Sequence, residues 1–323
     1  MDLISIAEIK AAADALPSLV RRTPLLPLAL HPAEIGAEHL FLKLENLQVT
    51  GAYKVRAAFT VVASLSARQR QQGIVLASSG NFAQAFALAG RHYGIPITVV
   101  MLAATSAYKI DATRALGAHV DLFEGPALAR QQRVEELGRK SGMTVIDTWE
   151  ERSIVAGHGT LGLEILKDMV DIQQVLVPVS SGGMAAGVSA AIKLMAPGVR
   201  VIGVQPVGAN AAYLSRIAGH PVSIENWDSI ADGLSARRPG EYPFSHLQRF
   251  VDEIVLVEEA DIGAAHVALK RHAKVIAEPA GAVAAAAFIA GRVDQTRRTV
   301  AVVSGGNLTD GTMRELERIS WLK

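Results

Sequence analysis

Three short segments combine hydroxyl, amide and glycine residues in patterns that could hold an anion. The first, "VPVSSGGMAAG", carries Ser180, Ser181, Gly182, Gly183 and Met184. Glycines let a backbone approach a bound group closely, and the unpaired amides of a first helical turn point at it, so a phosphate suits this segment. The spacing is not that of a P-loop, since no Gly-Lys-Ser/Thr follows, nor the G-x-G-x-x-G of a dinucleotide site. A tight strand-to-helix turn that needs glycine only for packing accounts for it equally well. The second, "SSGNFAQ", gathers Ser78, Ser79, Gly80 and Asn81 at a helix start, where the positive end of the helix dipole favours a carboxylate. Taken alone it reads as an ordinary helix cap. The third, "VVSGGNLTDG", contains Ser304 and by itself is a polar turn. All three accompany a lysine, Lys54, within "TGAYKVRAA". As the free amine, which a dry pocket favours, a lysine is a nucleophile toward carbonyl carbon.

The elements that must position these segments are legible in the hydrophobic pattern. Apolar, β-branched runs at residues 40–44, 74–77, 97–102, 175–179, 199–204 and 299–303 read as strands. Alanine-rich stretches at 81–93, 107–116, 127–140 and 182–195 have helical spacing. Short continuous apolar strands alternating with helices indicate parallel sheets covered on both faces, an α/β fold. Ligands of such sheets bind beyond the carboxyl ends of strands, where the next loop opens a helix. The exits after Ala77, Val179, Val204 and Val303 are therefore the places to look, and three of the four are rich in glycine and serine.

Composition narrows the function classes. The chain has 323 residues, half of them hydrophobic, enough for a large core in one big domain or two lobes. With 32 basic and 31 acidic residues it has no electrostatic footprint for nucleic acid or an anionic membrane surface. The absence of cysteine excludes disulfides, cysteine-ligated metal centres and thiol nucleophiles, and is compatible with a reducing cytoplasm. Asp2, Glu8 and Asp14 interrupt the N-terminal apolar residues, unlike a secretion signal. The longest apolar run, residues 279–290, is mostly alanine and too short to span a bilayer, so a buried helix is expected there.

Taken together, these segments give the chain a resemblance to fold-type II pyridoxal-phosphate enzymes, specifically the threonine/serine dehydratase and serine racemase group. It rests on "RRTPLLPL", "FLKLENLQVTGAYKVRAA", "SSGNFAQAFA", "SAYKIDATRALGAHV", "VAGHGTLGLEI", "VPVSSGGMAAG", "AEPAGAVA" and "VVSGGNLTDG", which run nearly end to end in the order of the family. The resemblance implies a two-lobed, tryptophan-synthase-β-like fold. Residues 1–72 and 151–323 would form a large cofactor-binding domain, and residues 73–150 a small mobile substrate-binding domain. It implies pyridoxal 5′-phosphate bound covalently to Lys54, with Asn81 on the phenolic oxygen and Ser181, Gly182, Gly183 and Met184 around the phosphate. Ser304 would face the pyridine nitrogen, and Ser78, Ser79 and Asn81 would receive the substrate carboxylate. Lys54, once displaced by the substrate amine, would be the base at Cα. The implied activity is conversion of a β-hydroxy-α-amino acid to a 2-oxo acid and ammonia by a cytoplasmic homodimer. The chain ends soon after the serine–glycine motif, so the regulatory domain of the biosynthetic threonine deaminases is not expected.

Departures from the family pattern sharpen the expectation. Phe82 stands where a histidine is usual, and Ala52 where a serine usually precedes the aromatic–lysine pair. Ser180 and Ser181 replace two glycines. Gln205 and Ala211 occupy positions where many relatives supply carboxylates to a divalent cation, and hard cations need several oxygen ligands, so no metal is expected. Phe82, with Trp149 as a second wall, could border the space around Cβ and admit a bulky substituent such as that of phenylserine, although both rings could equally pack in the core. Two other functions remain in view. A racemase needs a second acid on the opposite face of Cα, for which Ser79 is the evident candidate. A non-catalytic cofactor carrier would have little reason to keep Lys54, Asn81 and Ser304 together.

Overall fold

The computed structural model describes residues 2–31, 38–126 and 129–320. Ten strands among them form two sheets. In chain order these are β1 (Leu25–Leu28), β2 (Leu40–Leu44), β3 (Ile74–Ala77), β4 (Ile97–Leu102) and β5 (His119–Phe123). They are followed by β6 (Thr144–Ile146), β7 (Gln174–Pro178), β8 (Arg200–Pro206), β9 (Glu253–Val257) and β10 (Thr299–Val303). The larger sheet has the order β1-β2-β10-β7-β8-β9 and is parallel except for β1, which runs antiparallel to β2 at one edge. The smaller sheet, β5-β4-β3-β6, is parallel throughout. Every residue of β7 and β10 is buried, as expected of central strands covered by helices on both faces.

Strand runs 40–44, 74–77, 97–102 and 299–303 have the extents expected from sequence, and those at 175–179 and 199–204 shift by one or two residues. The expected helix at 127–140 is Arg130–Ser141, with residues 127 and 128 outside the described residues. The apolar run at 279–290 is the buried helix Pro279–Ile289. Strands β1, β5 and β9 lie at sheet edges. The partly exposed faces of β5 and β9 carry polar residues and break the continuous apolar signature that marks the central strands, whereas β1 is apolar but only four residues long and holds a proline.

Register explains why the chemistry-bearing segments meet. Leu44 at the end of β2 pairs with Val303 at the end of β10, and β10 pairs on its other side with β7. The three parallel strands therefore discharge side by side, toward Lys54, Ser304 and residues 180–184 respectively. The helix that follows β2, Lys54–Ser64, is joined to the one after β7, Gly183–Met195, by a third, Arg152–Asp168, packed against both. That middle helix carries "GHGTLG", and glycine is needed because the backbones nearly touch. A Cβ on Gly157 would lie 2.7 Å from Cα of Ala57, and one on Gly187 would lie 2.3 Å from the Val155 carbonyl oxygen. Neither neighbour is a flexible side chain, so the helices would have to separate. Gly187→Ala should therefore lose roughly 2 kcal/mol or more in chemical denaturation, in the range of overpacked cores. A loss below about 0.5 kcal/mol, the range of neutral surface changes, would contradict this contact.

Candidate active site

The helix bearing Lys54 is fixed at its start by its neighbours in sequence and space. Tyr53 N donates to the Ser304 carbonyl at 3.0 Å, Gly306 N donates to the Gly51 carbonyl at 2.9 Å, and Ala52 bridges Gly305. Gly51 adopts φ +72°, and a Cβ there would fall 2.3 Å from Oδ1 of Asn307. Two residues further along the helix, Arg56 is wholly buried between two carboxylates. Its Nε and Nη2 each reach Glu45 at 2.8 Å, while Nη1 and Nη2 reach Glu164 at 2.7 and 2.8 Å. These charges hold the guanidinium protonated and the Glu164 carboxyl below the usual carboxylate range.

So anchored, Lys54 points its amine at aromatic faces. Nζ lies 4.3 Å from the centre of the Phe82 ring and 5.0 Å from that of Tyr53. It makes no hydrogen bond or ion pair with the described residues, which is the condition a covalent attachment point requires. A cavity opens beside it, lined by Tyr53, Lys54, Phe82 and His158 on one side and by residues 180–184 on the other. Gly182, the N-cap of helix Gly183–Met195, has φ +101°, and a Cβ there would meet Pro243 at 3.1 Å. The first-turn amides of that helix lack intrahelical acceptors. A helix start with free amides and two successive glycines, Gly182 and Gly183, is a cradle that a phosphate suits. Ser180 and Ser181 brace it by accepting from Ala236 N (3.3 Å, at the side-chain oxygen) and Gly240 N (2.9 Å, at the backbone carbonyl).

The remaining sequence-derived residues are not among those that line this cavity. Ser304 is buried, and its hydroxyl donates to the Ala280 carbonyl at 3.4 Å. Asn81 accepts from Nδ2 of Asn307 at 2.9 Å and donates to Glu278 at 2.8 Å, which leaves one amide N–H free. The Ser78 hydroxyl caps its own loop, accepting from Ala83 N at 3.2 Å. The Ser79 hydroxyl accepts from Nη1 of Arg130 at 2.9 Å. Phe82 lines the cavity beside Lys54, but Trp149 is 38 % exposed and Thr148 lines the wall instead. Gln205, at the cation position of relatives, uses its amide on the protein's own backbone. It accepts from Tyr213 N at 2.8 Å and donates to the Val179 carbonyl at 3.2 Å.

Three residues that sequence reasoning missed belong to this region. His158 stacks on Phe82 with ring centres 5.9 Å apart. Arg130 reaches Ser79 from helix Arg130–Ser141, and no sequence signal distinguishes it from a surface arginine. Glu278 is the N-cap of the buried alanine-rich helix, a place where an acid is ordinary, so nothing in the residue order marked it out. Burial pushes its carboxyl up to about 7, aided by the Asp232 charge and opposed by Asn81, Lys109 and Lys54.

The profile of a family described as pyridoxal-phosphate dependent enzymes matches residues 16–305. The chain is 40% identical to L-threonine ammonia-lyase of Thermotoga maritima over 311 residues, which cover 95% of this chain and 76% of that protein. The processed form of threonine deaminase isoform 2 from Solanum lycopersicum superposes with a TM-score of 0.89 at 31% identity, covering 98% of this chain and 93% of that one. Maize serine racemase superposes with a TM-score of 0.90 at 30% identity, covering 97% of both chains.

Glu278 generates a pH prediction. A carboxyl that is easier to protonate in the fold than in the unfolded chain weakens folding as pH rises above its unfolded value of 4.5, and the penalty is complete above about 7. At about 1.4 kcal/mol per pKa unit, the penalty reaches roughly 3 kcal/mol. Glu278→Gln should remove it, so between about pH 5 and pH 8 the variant should lose less stability than the parent in denaturant melts. Parallel pH profiles would contradict the assignment.

Proposed function

The chain belongs to the family of pyridoxal-phosphate-dependent enzymes, and from that premise we propose that it is a dehydratase of the threonine/serine type. It removes the β-hydroxyl and the α-amine of a β-hydroxy-α-amino acid to give a 2-oxo acid and ammonia. The observation that carries this reading is the uncommitted Lys54 amine beside a glycine-lined phosphate cradle. Likeness over nearly the whole chain to an L-threonine ammonia-lyase supports the reaction class.

Pyridoxal phosphate, when bound, supplies a conjugated electron sink for the bond broken at Cα. The chain's own residues supply the rest. Lys54 would hold the cofactor covalently and, once freed by the substrate amine, would take the Cα proton. Ser78, Ser79 and Asn81 receive the substrate carboxylate at the positive end of helix Asn81–Tyr93. Residues 181–184 hold the phosphate. Ser304 would face the ring nitrogen with a hydroxyl and not a carboxylate, which would favour prompt departure of the β-hydroxyl over transamination. The Cβ–oxygen bond breaks with its electrons on oxygen, which leaves as water after taking a proton. Tautomerisation and hydrolysis of the remaining enamine then release ammonia.

Residues 73–150 act as the smaller, substrate-binding unit, which moves against the cofactor-binding remainder made of 1–72 and 151–323. The smaller sheet lies between Ile74 and Ile146 and supports this division. The working form is a cytoplasmic homodimer that needs no divalent metal. No helix among the described residues is long and apolar enough to cross a membrane.

One observation favours a second activity, racemisation. The Ser79 hydroxyl accepts from Arg130, which leaves its own proton free to be donated on the second face of Cα. Chiral analysis of recovered serine separates the two activities.

The experiment that tests the main reading is a panel of β-hydroxy amino acids assayed for 2-oxo acid and ammonia release. Threonine and serine should both release 2-oxo acid. Because Phe82 presents an apolar face beside Lys54, phenylserine should be turned over with a kcat/KM at least equal to that of serine. A lead of tenfold or more for serine or threonine, about 1.4 kcal/mol of transition-state preference, would remove the aromatic wall from the account. No 2-oxo acid from any member would remove the dehydratase reading itself.

A further inference from the structure

His158 is only 1 % exposed, yet its Nδ1 has no hydrogen-bond partner among the described residues. Other buried histidines close a ring nitrogen on a carbonyl, as His246 does on Tyr242 and His266 on Ala277, each at 2.8 Å. His158 instead faces the cavity beside Lys54. Its ring is fixed by stacking on Phe82 and by tilting against Tyr53 with centres 4.7 Å apart. Its Cδ2 lies 3.7 Å from where a Cβ on Gly183 would stand, so the ring abuts the first residue of the phosphate-cradling helix. Burial, reinforced by the charges of Lys54 and Arg56, keeps the imidazole neutral with its pKa well below 6.5. A neutral imidazole carries one N–H donor and one acceptor.

The cavity presents an unmet need for such a donor. A phosphate ester brings up to two negative charges, yet no arginine lines the cavity and its one lysine, Lys54, would be committed to the covalent link. Apart from His158, the cavity offers only backbone amides and the hydroxyls of Tyr53, Thr148, Ser180 and Ser181. We propose that His158 is a further cofactor-binding residue whose ring N–H donates to an oxygen of the phosphate held at the start of helix Gly183–Met195. The proposal rests on residues 181–184 being the phosphate cradle. It also gives the Phe82 substitution a consequence, since the polar group on this wall comes from the helix beneath it.

The test reconstitutes the cofactor-free protein with pyridoxal phosphate and, separately, with pyridoxal, which lacks the phosphate. Affinities are read from the long-wavelength absorbance band. His158→Phe keeps the stacked ring but has no donor, His158→Leu is donor-free without the ring, and His158→Gln restores an N–H. A hydrogen bond to a charged group contributes about 1.5 kcal/mol or more, so both donor-free variants should bind pyridoxal phosphate roughly tenfold more weakly. Their affinity for pyridoxal should stay within about threefold of the parent, and the Gln variant should stay within about threefold for both ligands. Equal losses for the two ligands would mean that the ring only packs, and unchanged affinities would mean that it does nothing here. Either result overturns the proposal. A parent that binds pyridoxal phosphate no more tightly than pyridoxal would overturn the cradle together with it.

Discussion

A guanidinium with no exposure to solvent, gripped by Glu45 and Glu164, is the contact on which the rest of the site depends. Arg56 belongs to the same helical turn as Lys54, so fixing its fork fixes the direction in which the lysine leaves the backbone. Removing one partner from such a buried pair leaves an uncompensated charge, at a cost of about 3–5 kcal/mol. The network does not end there, for Lys43 on β2 bonds both Glu164 and Asp168 at 2.9 Å. Strand β2, helix Lys54–Ser64 and helix Arg152–Asp168 are thereby locked together by charge on one side. The close backbone contact at Gly157 ties the same middle helix to helix Lys54–Ser64, and the one at Gly187 ties it to helix Gly183–Met195, which follows residues 180–182. The distance between the reactive amine and the cradle follows from these two constraints.

Inside that frame the chemistry depends on keeping charges few. Ser304 is neutral, burial keeps His158 neutral, and Glu278 is held easy to protonate by burial and the Asp232 charge. Near the site, Lys54 has no ion-pair partner among the described residues, Arg130 bonds the uncharged Ser79 hydroxyl, and Lys109 is paired with Asp232. A substrate carboxylate entering by Ser79 and a phosphate entering by Gly183 would each meet an environment short of anions. Selectivity for a negatively charged amino acid derivative of this kind follows from what the site lacks as much as from what it contains.

The central strands were readable from sequence because parallel strands covered on both faces must be apolar along their whole length. The edge strands β5 and β9 were not, because their outer faces tolerate polar residues such as His119 and Glu253, and β1, although apolar, is only four residues long and contains a proline. The glycine–serine exits were readable for a similar reason. Only small or hydroxylated residues let a backbone turn sharply and leave amides free. What stayed hidden were single side chains whose role depends on burial. The histidine of "VAGHGTLGLEI" and the glutamate of "AEPAGAVA" stand in motifs recognised at once, yet neither looked different from a helix residue until its surroundings were known. Trp149 shows the converse error. It sits close in sequence to the return from the smaller sheet, but its ring is substantially exposed and Thr148 reaches the cavity.

The claim beneath all of this is that the amine at residue 54 carries the cofactor. Borohydride reduction of the yellow holoenzyme would make that link permanent, and peptide mass analysis would then locate it. The account predicts the pyridoxyl group on the peptide containing Lys54 and on no other lysine. A label found on Lys43, Lys109 or any other lysine, with Lys54 unmodified, would contradict it.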